Sequence, residues 1–430
     1  MMSRYEKAID NETDFGVSLV SERWGRSGYV VNWYALKRFA YMITEKYGRL
    51  VNSKYGKKSD DDYTLSKSFR SCGEVLLPEH VDSNLRQAGK HQPYKLTDWM
   101  HCGSRTCPAC GYRLALSDVG EVSRAVLDWA YWDGDYRCPR ENRSCLLLCL
   151  TCSHTKSERL LDVYKDNVQA RKLFLADRAV RDAFEDMGVT VFVVCVETPH
   201  GDNGWHYHPH MLLFCDRSID DDERARFESI LKPVWARMVE KVGRTQKSAY
   251  GLKLSGGSAV KTYLGKQALE LAFGNYGKDS GGYSHLRTPA SILFDCASTY
   301  HVCEKQFGGI KNAPGVLVNA WLYDVSRWVE WRLVMSGTRF LRWSPNAKDY
   351  FPHLKEDKKK MEDVEKVGVD VLKIFDARNL TRRLNVWQLF KLQCFGLRND
   401  MKGAVDYLRG FGFDSVPLVD GSPWITKGEE

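Results

Sequence analysis

The chain has 430 residues, 43% of them hydrophobic, with 63 Lys and Arg and a formal net charge of +8. That is length for roughly two to four domains with a substantial core. The longest apolar runs, around CLLLCLTC and VFVVCV, reach eight residues or fewer, which excludes a membrane-spanning helix, and the basic balance suits, without requiring, a groove that neutralises phosphates.

The opening stretch MMSRYEKAIDNETD is polar and mixed in charge and predicts no secretory or transit segment. With 13 cysteines and no such segment, the expectation is a cytoplasmic chain whose thiols are mostly reduced and partly available for metal. Residues 1–67 form a polar extension in which VVNWYALKRFAYMITEKYGRLV (30–51) has helical spacing, and KKSDDDYTLSKS reads as a surface linker. A Cys-rich segment follows at 68–115. Cys102, Cys107 and Cys110 have C-x4-C-x2-C spacing, with Cys72 thirty residues upstream. A CPxC turn sets two thiolates on one tight loop, and a tetrahedral zinc needs four ligands. Cys72 is the preferred fourth ligand and His101 the substitute. The next segment, RLALSDVGEVSRAVLDWAYW, predicts an amphipathic helix.

SCLLLCLTCSHT (144–155) reads as a buried strand, followed by one long charged helix over about 157–186. VTVFVVCVE (189–197) reads as a second apolar strand ending at Glu197, and the loop TPHGDNG turns the chain back as a hairpin. The return strand is WHYHPHMLLF, with His206, His208 and His210 at period 2 ahead of an apolar run. Alternate residues of a strand share a face, so the three imidazoles are expected on one side. Neighbouring ones can then tilt toward one divalent ion. The hairpin brings Glu197 to their level as a third ligand, which widens the suitable ions from zinc, copper, iron or nickel to manganese and magnesium. Solvated histidines and a water-facing carboxylate are the plain alternatives, and Pro209 fits a central strand poorly.

DDDERARFESILKPVWARMVEKV predicts a helix with an acidic start, and SAYGLKLS an edge strand. SGGSAVKTYLGKQALELAF predicts a helix with Tyr263 and Lys266 on one face and Lys261 near. By itself such a pair is usually structural. Beyond RTPASILFD comes the tryptophan-rich helix NAWLYDVSRWVEWRLVMSG, and TRFLRWSPN closes the domain. KEDKKKMEDVEK reads as a solvated linker within 346–366, and 367–430 as a C-terminal helical, winged-helix-like module.

These parts suit phosphodiester chemistry. Histidines on a rigid strand hold a metal, and a tyrosine on a facing helix can form a covalent phosphotyrosine if metal or lysine charge favours its phenolate. In their order LCLTCSHT, WHYHPHMLLF and KTYLGK resemble the three motifs of the HUH endonuclease superfamily. The upstream knuckle, RTPASILF and WVEWRLVMSGTRFLRWS (328–344) narrow the resemblance to rolling-circle replication initiators of small plasmids and some phages, over residues 68–345. The resemblance implies an α+β nuclease domain at 116–345, with a central antiparallel sheet of about five strands. Helices would lie against one face, and the LCLTC and histidine strands would be central neighbours.

It further implies that Tyr263 is the nucleophile and Lys266 its helper. His208, His210 and Glu197 would hold Mg²⁺ or Mn²⁺, with His206 in reserve. Single-stranded and origin DNA, host helicase and polymerase, and a homodimer are the implied partners, with no membrane. Two departures leave termination open. Ala259 stands where some relatives place a glutamate, and Gln267 where others place a second tyrosine; Glu270 or a second protomer are the substitutes. An HUH relaxase or single-strand transposase, and a non-catalytic zinc-knuckle DNA-binding protein, are the competing readings.

Overall fold

The runs SCLLLCL, VTVFVVCVE and HPHMLLFC become three adjacent strands, β1 (Ser144–Leu150), β2 (Val189–Glu197) and β3 (His208–Cys215). Short strands close the edges: β4 (Leu252–Ser255) beside β1 and β5 (Leu341–Trp343) beside β2. The sheet order is β4-β1-β3-β2-β5, with every pairing antiparallel. The fold comes from a computed structural model, which describes residues 20–24, 28–31, 36–37, 39–47, 72, 82–87, 95–97, 99–130, 142–245, 251–256, 286–355, 369–380, 384, 388, 392 and 400–418.

Continuous apolar runs suit strands covered on both faces. On one face Leu146, Leu148, Val194, Met211 and Leu213 pack against three helices, α2 (Leu160–Ala176), α3 (Arg178–Asp186) and α4 (Asp221–Lys241), through Phe174, Val180, Phe227, Leu231 and Trp235. On the other face Cys145, Leu147, Val193, Leu212 and Phe214 meet Val122, Val126 and Trp129 of α1 (Pro108–Ala130), together with Phe351. Helices therefore lie on both faces, not on one. Each buried Leu or Phe contributes about 1.5–3 kcal/mol. A one-residue slip of β3 would drive His210 into the layer of Phe174 and Trp235, so core packing fixes the register.

Pro209 occupies the central strand without breaking its ladder. Its partner Val196 donates its N–H outward to Phe340 O at 2.9 Å, so this pair exchanges no hydrogen bond. On the other side, pairing with β1 ends at Cys149 opposite His210.

The expected helix over 157–186 is two helices. Asp177 leaves the helical region (φ −70°, ψ 139°) and its side chain accepts from Ala179 N at 3.0 Å, capping α3. The helical spacing expected from residue 30 is taken over first by a strand, Gly28–Val31, which pairs with Val20–Trp24. Helical residues 36–37 and 39–47 then bury Leu36, Ala40 and Ile43 in a third core. That core also holds α5 (Pro289–Phe307), α6 (Gly315–Met335), Trp205 and Tyr207.

Two expected boundaries differ from the fold. The division at 115/116 falls inside α1, so one helix carries the Cys-rich turn at its start and packs on the sheet further along. Two strands of the expected Cys-rich segment belong to another sheet. Ser83–Gln87 pairs with Val369–Ile374, flanked by Lys95–Leu96 and Ser415–Pro417, in a separate four-stranded sheet. The helix α7 (Met401–Gly410) covers it through Ala404 and Leu408, against Leu85, Trp99, Leu372 and Ile374. Among the described residues the C-terminal region thus combines strands and helix, completed by strands from far upstream. Among the described residues no helix is long and apolar enough to cross a membrane.

Candidate metal centres

The hairpin between β2 and β3 sets the first centre. Its turn, His200–Gly201 paired with Gly204–Trp205, needs glycine at 204: φ is +91°, and a Cβ would stand 2.9 Å from Thr155 O. This turn places Glu197 directly opposite His208, and Cys195 opposite His210. Both imidazoles point their Nε2 at one carboxylate oxygen, His208 to Glu197 Oε2 at 3.2 Å and His210 at 3.3 Å. Ligands 2.0–2.2 Å from one ion stand about 3.0 Å apart at right angles and about 3.4 Å apart at tetrahedral angles.

These three residues can hold a metal ion. The other carboxylate oxygen, Glu197 Oε1, is buried with no hydrogen-bond partner, as a group awaiting an ion would be. His208 keeps 22% of its side-chain surface exposed against 12% for His210, so the centre opens to solvent on the His208 side. Burial alone would raise the Glu197 pKa. The charge of His210 and the hydrogen bond from His208 outweigh it and hold the carboxyl well below its usual range. Behind His210, Cys149 on β1 places its Sγ 2.9 Å from Nδ1.

His206 does not join this set, against the expectation of three imidazoles on one face. Regular β3 begins only at His208; residue 206 follows the small hairpin, and its N–H donates to Pro199 O at 2.8 Å. The strand alternation therefore does not extend back to it. Its Nδ1 lies 3.0 Å from Nε2 of His154, the rings meeting edge to face. His154 Nδ1 in turn lies 2.9 Å from the carbonyl of Asn203. Asn203 offers an acceptor, so His154 carries its proton on Nδ1 and accepts from His206. Burial, then the His154 neighbour, lowers His206 to about 4, and burial lowers His154 as well. Sequence reasoning passed over both His154, within CSHT, and Cys149, within LCLTC. The signal for Cys149 was available only through the β1–β3 register.

Tyr263 and Lys266 lie outside the described residues, as do Lys261, Ala259, Gln267 and Glu270. Before them, β4 ends at Ser255 opposite Leu147. After them, Arg287 pairs with His200 through two backbone hydrogen bonds of 2.8 Å.

The second centre is the group Cys72, Cys102, Cys107 and Cys110. Sulfurs around a tetrahedral zinc with 2.3 Å bonds stand about 3.8 Å apart. Here Cys72 is 3.8 Å from Cys107 and 3.3 Å from Cys110, and Cys102 is 3.7 Å from Cys110. The cluster can hold a metal such as zinc. Gly111 is required at the turn, because a Cβ there would collide with Arg105 O. The first turn of α1 also favours thiolates through the helix dipole. The Cys102 and Cys107 thiols draw Cys72 down to about 5, while Cys102 and Cys110 push Cys107 well up. Arg332 of α6, lowered to about 10 by burial, feels the opposite pull of Cys107 and Cys102.

Comparison of the chain with protein-family models, curated proteins and solved structures finds no match in any of the three.

Proposed function

We propose that the chain is a metal-dependent DNA-nicking and strand-transfer enzyme, a rolling-circle replication initiator of the HUH type. The convergence of Glu197, His208 and His210 on adjacent central strands carries the reading. One carboxylate and two imidazoles at an open sheet end suit a Mg²⁺ or Mn²⁺ ion. When bound, such an ion supplies Lewis-acid polarisation of a scissile phosphate.

In this reading the phenol of Tyr263 attacks the phosphorus and loses its proton. The bond to the 3′ oxygen breaks, leaving a 5′-phosphotyrosine and a free 3′ hydroxyl that can prime synthesis. Lys266 favours the phenolate or neutralises the phosphate. Attack by a 3′ hydroxyl on the phosphotyrosine reverses the step and rejoins a strand. The net charge of +8 suits a DNA partner. The Cys cluster takes a structural zinc. Origin DNA, host helicase and polymerase, and a second copy of the chain are the partners this function would need.

The test is incubation with a labelled single-stranded DNA library and Mn²⁺, followed by denaturing electrophoresis and mass spectrometry of the adduct. The expected adduct is on Tyr263, and Tyr263→Phe abolishes it while DNA binding persists. An adduct that survives Tyr263→Phe removes the nucleophile. Sequence-specific binding without any adduct in the unaltered protein points to a non-catalytic DNA-binding protein.

A further inference from the structure

A histidine that binds metal through Nε2 needs its lone pair there, so its ring proton must sit on Nδ1. That Nδ1–H is normally held by a carboxylate, a backbone carbonyl or water. The sulfur of Cys149 lies 2.9 Å from His210 Nδ1. Its position is set by register: Cys149 is the β1 residue directly opposite His210, and the pair closes the β1–β3 ladder. The same sheet face carries His208 and Glu197, whose Oε2 lies 3.3 Å from the far nitrogen of the His210 ring. The imidazole is therefore gripped at both ends, by sulfur behind and by the ion-binding pocket in front.

We propose that Cys149 is a positioning residue of the Glu197–His208–His210 centre. Its sulfur accepts the Nδ1 proton of His210, fixing the tautomer and ring angle that present Nε2 to the metal. The inference rests on the reading of this trio as a metal centre, but not on the nicking activity. The thiol stays intact and transfers no group. Cys149 offers a softer, weaker acceptor than the oxygen usual behind a metal-bound histidine, and thiol alkylation would remove this support of His210.

The test titrates full-length protein with Mn²⁺ alone, following free Mn²⁺ by electron paramagnetic resonance. Removing such a support lowers metal affinity by about 10- to 100-fold. Cys149→Ala is expected to show that loss, and Cys149→Ser, which restores an acceptor, to recover a substantial part of it. Retention of zinc by the Cys72 cluster and an unchanged circular dichroism spectrum report that each variant is folded. Affinity equal to the unaltered protein in folded Cys149→Ala overturns the proposal, as does a folded Cys149→Ser no better than Cys149→Ala. If the unaltered protein binds no Mn²⁺ while His208→Ala is likewise silent, the metal reading of the trio fails first, and the two failures are told apart.

Discussion

Glu197 and His208 face each other across neighbouring antiparallel strands, and the carboxylate meets the imidazole at 3.2 Å. The pair is made by a hairpin, so the geometry is local in sequence and rigid in space. His210, two residues on, reaches the same oxygen.

This arrangement separates the histidines by function. His208→Ala and His210→Ala should each lower Mn²⁺ affinity by at least about tenfold, since each removes a ligand of the proposed centre. His206→Ala should leave it near the unaltered value, because that ring is engaged with His154. Calorimetric titration of the three variants with Mn²⁺ checks the separation, and an equal loss in all three would refute it.

Glu197 makes the metal-free fold sensitive to acid. Its folded pKa is depressed, so its contribution to stability is full above the unfolded value of about 4.3 and is lost as pH falls through the folded value. At neutral pH the protein should be more stable than Glu197→Gln. The difference should shrink steadily below about pH 4. Denaturant titrations of both proteins across that range measure it.

Glu330 is a buried carboxylate with three donors. It accepts from the N–H of Leu160 at the start of α2 (2.8 Å), from Trp205 Nε1 (3.0 Å) and from Arg327 (2.9 Å). Trp205 is the residue next to His206, so this knot holds the approach to β3. Glu330→Ala takes the carboxylate away from a buried guanidinium and should cost about 3–5 kcal/mol. Urea denaturation gives the value.

Gly204→Ala tests the turn itself. A residue with a Cβ at φ +91° and 2.9 Å from Thr155 O should cost about 1–3 kcal/mol. Because the turn sets the register of Glu197 against His208, Mn²⁺ affinity should fall with it.

At the Cys cluster, the protein should carry one tightly held zinc. Cys110→Ser or Gly111→Ala should release it and lower the thermal midpoint by about 10 °C or more, given the several kcal/mol that a structural zinc contributes to folding. Metal analysis and differential scanning fluorimetry read both effects.

Much of the sheet was legible in the chain. The runs at 144–150, 189–197 and 208–215 are apolar enough to demand cover on both faces, and TPHGDNG marks the hairpin that joins the last two. The spacing of Cys102, Cys107 and Cys110 announced the thiol cluster, and the register brought Glu197 to the histidines as its hairpin required. Period 2 misled at His206 because it assumes a strand where the backbone is still leaving a turn. The break at Asp177 was hidden because one residue leaving the helical region does not disturb the charged pattern around it. The pairing of Ser83–Gln87 with Val369–Ile374 left no local trace. Asn84 bonds Asp370 from 286 positions away, and nothing in either stretch names the other.

That distant pairing has a practical consequence for anyone trimming the protein. A fragment stopped at residue 345 would keep Ser83–Gln87 but discard the strand that covers its inner edge, leaving Leu85 and Trp99 stripped of their packing. Raw strand edges of this kind invite aggregation. Expression of a shortened chain should therefore succeed only when both stretches are retained together or removed together.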